Sequence, residues 1–307
     1  MTSAVDSSDR RRLLASLSVT RSVAIRWGVL STAAFFGSGF LLGAVLEAVT
    51  GTALEPITVA ASSPLELFVG IVLVIALLVV VIVPHELLHG VFMARYGAGP
   101  AYGVDLSGFA LPSVYARSSG ASYTRDQLLV ILLAPFVLIS AVGIWLLAVV
   151  QSPLLIVPIA ANVAGSVGDL WMAAHLLRYP ASVEVTGLPD EQGQGLGIYG
   201  TVGDHRVRRI PLERGFVSFL SGAAGTFTAV VVGLICGVIL SLAFGSGDFV
   251  LGDPDGPWFL VRHELDPDGY AASFEFGETT LVVLSTLGGL GWAGWSALYG
   301  RLERSEP

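Results

Sequence analysis

Three ionisable residues lie within five positions of one another in the segment VVVIVPHELLHGVFMA, residues 79–94. His85 and His89 are four residues apart, so on a helix both imidazoles project from one face and can reach a single metal ion. Glu86 lies about 100° around the same helix, where it could contact a water molecule at the metal rather than the metal itself. This is the H-E-x-x-H arrangement, in which two histidines bind zinc and the glutamate is the general base of a peptidase.

These residues lie at the end of a run that is otherwise apolar enough to cross a lipid bilayer. An ionisable side chain at the centre of a membrane span costs at least about 2.5 kcal/mol, so histidine and glutamate within a span are candidates for function. The alternative is that they lie at the helix end, are solvated by lipid headgroups and carry no chemistry.

The composition places the chain among membrane proteins. Of its 307 residues, 53% are hydrophobic and only 13% are charged, too few to cover the surface of a soluble domain of this length. Runs of roughly 20 apolar residues, the length of a transmembrane helix, occur about six times. The predicted spans are Trp27–Val49, Glu66–Ala94, Gln127–Val150, Leu154–Tyr179, Phe216–Phe244 and Thr279–Gly300. We therefore expect an all-α polytopic membrane protein with about six transmembrane helices.

The placement of arginine predicts the orientation. All 16 basic residues are arginines, and all but Arg262 fall on one side when six spans are threaded through a membrane. By the positive-inside rule, we expect a multi-pass protein of the cell membrane with both termini in the cytoplasm. The arginines are scattered and form no basic stripe with interleaved aromatic residues, so nucleic-acid binding is not expected.

A catalytic zinc site needs a third protein ligand and leaves its fourth position for water. Asp169, in the fourth predicted span, lies about 23 Å along its helix, and His85 lies about 26 Å along a helix that crosses in the same direction. The two residues should therefore have nearly the same depth, and we predict Asp169 as the third ligand. The alternative for Asp169 is an ion pair with an arginine, although the arginines are placed at helix ends. His175 points about 240° away from Asp169 and is expected to face the membrane interface.

Asn162 shares a helix face with Asp169, because seven residues correspond to about two helical turns. Two roles at the site are open for it. It could orient another group of the site, or it could stabilise the oxyanion that forms on the scissile carbonyl. The alternative outside the chemistry is an ordinary hydrogen bond between two helices.

The segment between the second and third spans predicts a short β-hairpin. Ser107-Gly108 is a two-residue turn signal flanked by apolar residues. These flanking residues are Val104, Leu106, Phe109 and Leu111. A protease must hold its substrate as an extended strand, so a strand edge beside the zinc would bind a substrate segment by β-augmentation. The alternative is a plain cytoplasmic loop.

On these motifs the chain resembles site-2-protease-like intramembrane zinc metalloproteases, and within them a zincin peptidase branch. The resemblance covers about residues 66–180. It rests on HELLHG, on LAPFVL in the next span, and on the segment from Asn162 to Asp169.

The resemblance implies zinc bound by His85, His89 and Asp169, with Glu86 as the base. The chain departs from the family pattern at the third ligand. The proline-rich stretch between the asparagine and the aspartate is missing, and so is the Asp-Gly ending, because Leu170 follows Asp169.

The predicted organisation follows from the spans. It comprises a cytoplasmic N-terminal segment 1–26, a first transmembrane helix with its outer loop 27–65, a metalloprotease-like core of three helices 66–180, a cytoplasmic loop 181–215, and two further helices in 216–307. The last part includes an acidic extracytoplasmic loop, residues 245–278, that contains DPDG twice. This tetrapeptide predicts turns, and calcium binding is the alternative.

These inferences predict a zinc metallopeptidase that hydrolyses peptide bonds of membrane-embedded or membrane-proximal proteins near the cytoplasmic face. Its cofactor would be Zn²⁺, and its partners would be membrane protein substrates and the lipid bilayer. One alternative is a non-proteolytic metal-binding membrane protein, either a sensor or a degenerate enzyme, which would not need Glu86. A transporter is a second alternative, but the polar residues cluster at one depth and no charged relay crosses the bilayer.

Overall fold

The structure is a computed structural model that describes residues 11–52, 57–60, 63–105, 113–118, 120–188, 195–201, 213–243, 248–256, 258–265 and 271–302. Within these residues, six helical segments are long and apolar enough to cross a membrane, which is compatible with the predicted multi-pass protein. They are Arg21–Thr50, Phe68–Arg95, Arg125–Val150, Pro153–Leu176, Gly215–Leu240 and Glu278–Tyr299.

Seven α-helices build these segments, because the fourth segment is broken at Ser166. The helices are α1 Arg21–Thr50, α2 Pro64–Arg95, α3 Arg125–Val150, α4 Ile156–Gly165, α5 Val167–Leu176, α6 Glu213–Ala243 and α7 Glu278–Leu302. A 3₁₀ turn, Pro153–Leu155, precedes α4. Only Gln151 and Ser152 separate this turn from α3, which ends at Val150.

The expectation of an all-α chain was too simple, because the connecting segments form small antiparallel sheets. The strands are β1 Arg12–Ser18, β2 Ile57–Ala60, β3 Ala101–Asp105, β4 Ser113–Arg117, β5 Ser122–Thr124, β6 Glu184–Gly187, β7 Gly195–Gly200, β8 Phe249–Gly252, β9 Phe259–Leu265 and β10 Ala271–Phe276. They form one sheet of order β1-β7-β6-β5, one of order β2-β10-β9-β8, and the pair β3-β4.

The chain divides into two compact units, and the first comprises Met1–Leu42 and Leu78–Ile210. Its four-stranded sheet joins segments that precede α1, precede α3 and follow α5. These segments are separated by even numbers of spans, so their pairing agrees with the six-span threading. Apolar side chains of this sheet, of α3 and α5, and of the residue before β6 form the core of the unit. They are Tyr123, Leu128, Ile131, Leu132, Ala173, Leu176, Val183, Val185 and Ile198.

The predicted hairpin between the second and third spans is present as β3 and β4. Val104 lies opposite Val114 and Asp105 opposite Ser113. A two-residue turn at Ser107-Gly108 would instead place Val104 opposite Leu111, so the register differs from the predicted one. The turn residues and three of the predicted hairpin residues, Leu106, Phe109 and Leu111, lie outside the described residues.

The second unit comprises Gly43–Leu77 and Pro211–Pro307. Its core contains Leu234 of α6, Val261 of β9 and Leu281 of α7. Helices α6 and α7 approach closely where α7 has no side chain, since a Cβ on Gly289 would lie 2.8 Å from the Phe219 ring. Gly289 therefore allows the two helices to pack closely.

The first DPDG sequence forms a turn. The backbone N–H of Asp255 donates to Oδ1 of Asp253 at 3.2 Å, and the N–H of Gly256 donates to the carbonyl of Asp253 at 3.0 Å. This geometry agrees with the turn interpretation. The second copy, residues 266–269, lies outside the described residues.

Candidate metal centre

Helix α2 presents its two histidines to the interior of the first unit. His85 and His89 are each only 7% exposed, and their ring centroids are 5.0 Å apart. The two side chains are one helical turn apart on one face of α2, as the i, i+4 spacing requires. Helix α2 exposes large apolar side chains elsewhere, so the buried polar pair is an exception on this helix and not part of a polar face.

The break between α4 and α5 brings the carboxylate to the histidines. The Ser166 hydroxyl donates to the carbonyl of Asn162 at 2.7 Å, and α5 begins at the next residue. Asp169 lies in the first turn of α5. Its Oδ2 is 3.3 Å from Nε2 of His85 and 3.3 Å from Nε2 of His89. These three are the only group of metal-ligating side chains that the described part of the chain brings together.

Asn162 holds His85 in place. Its Oδ1 lies 3.0 Å from Nδ1 of His85, and Asn162 is only 1% exposed. The Nδ2 group donates to three acceptors on α3, which are the Ser140 hydroxyl at 3.1 Å and the carbonyls of Pro135 at 3.4 Å and Phe136 at 3.5 Å. Because these acceptors fix the amide orientation, Oδ1 must accept the proton of His85 Nδ1. Both ends of the amide are thereby engaged, which favours the orienting role over the oxyanion role.

His89 is held by the protein backbone. Its Nδ1 lies 2.8 Å from the carbonyl oxygen of Ile131 in α3. A carbonyl oxygen only accepts, so Nδ1 of His89 carries a proton, and in the neutral imidazole Nε2 then carries the lone pair. Helix α3 is itself fixed at its start by a capping box in which Thr124 and Gln127 exchange hydrogen bonds between side chain and backbone.

The resulting arrangement fits a metal ion. In their neutral forms, His85 and His89 would each direct a nitrogen lone pair at the same carboxylate oxygen of Asp169, and a cation between these three electron-rich atoms would stabilise the arrangement. Zinc bonds of 2.0–2.2 Å in a tetrahedron separate neighbouring ligand atoms by roughly 3.3–3.5 Å. The two observed Nε2–Oδ2 distances are both 3.3 Å. The donor set of two imidazoles and a carboxylate therefore suits zinc in kind and in spacing.

Glu86 lies beside the metal-ligating group without belonging to it. Its side chain is half-buried, and the backbone of Ala116 in β4 is within hydrogen-bonding reach of its carboxylate. Tyr102 lies opposite Ala116 in the hairpin, and its ring and hydroxyl occupy the space where a Cβ of Gly90 would be. Glu86 and Gly90 are one turn apart on α2. The β3–β4 hairpin thus lies over the face of α2 that carries the predicted base.

Other polar residues singled out in the sequence lie apart from the centre. His175 donates from Nδ1 to the carbonyl of Trp171 at 2.9 Å, and its ring centroid is 4.0 Å from that of Trp171. It does not belong to the metal-ligating group. Val104 in β3 is 60% exposed. Sequence reasoning missed Ser140 and Ile131. Ser140 has a weak signal as a lone hydroxyl in an apolar span, whereas the Ile131 carbonyl has none.

Comparison with protein families gives an independent result. A family model described as "Putative zincin peptidase" matches residues 77–183. This segment resembles zincin-like peptidases. It contains both histidines, Glu86, Asn162 and Asp169, so the match covers the whole candidate centre. It supports a zinc metallopeptidase. No curated protein and no solved structure matched the chain.

Proposed function

We propose that the protein is an intramembrane zinc metalloprotease that cuts membrane-embedded or membrane-proximal proteins near the cytoplasmic face. The observation that carries this proposal is the convergence of three possible ligand atoms beside Glu86. The Nε2 atoms of His85 and His89 each lie 3.3 Å from Oδ2 of Asp169, and all three residues belong to helical segments apolar enough to cross a membrane. Because His85, His89 and Asp169 lie on helical segments apolar enough to cross a membrane, we expect substrates that lie in or near the membrane.

The chain's own side chains account for the chemistry that peptide hydrolysis needs. His85, His89 and Asp169 would hold the zinc ion, which when bound would polarise a peptide carbonyl and acidify water. Glu86 would take a proton from the attacking water and pass it to the departing amine. Asn162 would keep the lone pair of His85 directed at the zinc position, as the backbone carbonyl of Ile131 would for His89.

The hairpin supports a protease over other zinc hydrolases. Peptide bonds in a helix are hydrogen-bonded and shielded, so a transmembrane substrate must be extended before it is cut. A strand edge beside the base would bind such an extended segment through main-chain hydrogen bonds. The nearness of the Ala116 backbone to Glu86 supports this role of the hairpin.

The test compares the purified wild type with the Glu86→Gln variant on a panel of transmembrane peptides. Glutamine preserves the shape of the side chain but cannot accept the proton, so we expect zinc content to stay the same and cleavage to fall by at least about 100-fold. Glu66→Gln is the matched control, because Glu66 lies in the first turn of the same helix. It should keep both zinc and cleavage.

Two results would contradict the proposal. Cleavage that survives Glu86→Gln would exclude this residue as the base. Zinc binding by the wild type without cleavage of any peptide would favour the alternative, a non-proteolytic metal-binding membrane protein.

A further inference from the structure

Helix α3 contains a proline in its interior, Pro135. In an α-helix each carbonyl accepts from the N–H group four residues later. For Ile131 that residue is Pro135, which has no N–H. The regular helix bond to the Ile131 carbonyl therefore cannot form, and the carbonyl needs another donor.

The donor is the metal-ligating histidine. Nδ1 of His89 lies 2.8 Å from the Ile131 carbonyl oxygen. Ile131 is fully buried, so water cannot easily replace this donor. A buried carbonyl without a partner is costly, which means that the proline makes the contact to His89 more favourable than it would be in a regular helix.

Two other prolines that lie beyond the first residue of a described helix lack this arrangement. Pro84 lies within α2, and the carbonyl four residues before it belongs to Val80, a residue that is 65% exposed. Pro158 lies in the first turn of α4, where an N–H group has no helical acceptor in any case. Among the described residues, neither Pro84 nor Pro158 leaves a backbone carbonyl that accepts a hydrogen bond from His85 or His89.

We propose that Pro135 is a positioning residue of the metal centre. By withholding an N–H group from the Ile131 carbonyl, it reserves that carbonyl for His89 and keeps His89 in the tautomer with a bare Nε2. The effect on metal affinity rests on the proposed zinc site, whereas the effect on the tautomer does not. This gives a physical reason for the proline of the LAPFVL segment.

The first test is the zinc affinity of Pro135→Ala, measured by competition with a chromophoric chelator. Alanine restores the N–H group, so α3 can close its own bond to Ile131, and alanine is the best helix former, so the helix should persist. We expect zinc affinity to fall by about 10- to 100-fold, the range for loss of an outer partner of a metal ligand. Pro158→Ala is the matched control and should bind zinc as the wild type does. Equal affinity in Pro135→Ala and wild type would overturn the inference.

The second test reads the tautomer directly and needs no metal. The chain has five histidines, so ¹⁵N-labelled histidine gives a tractable NMR spectrum of the metal-free protein. We expect His89 of the wild type to carry its proton on Nδ1, and Pro135→Ala to lose this preference. A wild-type His89 protonated on Nε2 alone would overturn the inference even if the variant failed to fold.

The two proposals can fail separately. If the wild type binds no zinc but the tautomer of His89 changes in Pro135→Ala, the zinc protease is wrong and the positioning by Pro135 stands. If the wild type binds zinc and cuts peptides but Pro135→Ala matches it in both tautomer and affinity, only the positioning is wrong.

Discussion

At the scale of residues, the two imidazoles of the centre depend on different kinds of partner. His85 is oriented by a side chain, Asn162, whereas His89 is oriented by a backbone carbonyl. Only the first partner can be removed by a side-chain substitution. The role of Asn162 can therefore be tested without altering the helix that supplies the second partner.

Replacement of Asn162 by alanine should weaken zinc binding while leaving all three ligands in the chain. The Nδ1–H group of His85 would lose its acceptor at a position where Asn162 is 1% exposed, so water cannot simply take its place. We expect zinc affinity to fall by about 10- to 100-fold, measured by competition with a chelator.

Ser140→Ala is the graded control for this prediction. It removes one acceptor of the Asn162 amide but leaves the carbonyls of Pro135 and Phe136, so its loss should be much smaller. An Asn162→Ala variant that binds zinc as tightly as the wild type would show that His85 does not depend on this side chain.

At the scale of elements, the β3–β4 hairpin can pack against α2 because Gly90 has no side chain. A Cβ on Gly90 would collide with the hydroxyl and ring carbons of Tyr102. We therefore predict that Gly90→Ala displaces β3 and β4 from Glu86 and lowers cleavage by about 10- to 100-fold, since small misplacements of substrate are costly. Zinc content should not change, because the metal-ligating side chains do not take part in this contact.

Gly70→Ala is the matched control for the hairpin. Gly70 lies in the same helix, and a Cβ there would meet nothing within 4 Å. Cleavage and zinc content should both equal those of the wild type. Normal cleavage by Gly90→Ala would indicate that the hairpin does not hold the substrate.

The elements also differ in how far sequence could predict them. The spans and the His85–His89 pair follow from local periodicity and spacing, and matching helix depths place Asp169 near them. The four-stranded sheets were missed because each strand is short and its partner is distant in the chain, as with Arg12 opposite Gly200. Periodicity within a loop carries no information about such pairing.

The hydrogen-bond partners of the metal-ligating side chains set a second limit on what the sequence can predict. Asn162 was a candidate from its position in a span, and the acceptors on α3 that favour its orienting role are seen only in the structure. The Ile131 carbonyl is a backbone group, and any residue type at that position would supply it. Its importance follows from Pro135 four residues later, and only the structure shows that His89 lies in front of it.

At the scale of the whole molecule, the six-span threading predicts on which side of the membrane each loop lies. By the arginine distribution, the loop with β6 and β7 should be cytoplasmic and the loop with β8 to β10 should face outward. Cys236 is the chain's one cysteine, so its replacement by alanine gives a background for single-cysteine labelling. A membrane-impermeant maleimide should label Asp255→Cys in intact cells and Gly187→Cys only after permeabilisation. The reverse pattern would invert the proposed orientation.

The most direct test of the central claim is the zinc content and zinc K-edge X-ray absorption of the purified wild-type protein. We predict about one zinc ion per chain, with two imidazole nitrogens and carboxylate or water oxygens at roughly 2.0–2.2 Å. The Asp169→Ala variant should lose an oxygen ligand and bind zinc more weakly. A chain without bound zinc, or a zinc ion whose nearest neighbours include sulfur or only one imidazole, would contradict the assignment of His85, His89 and Asp169.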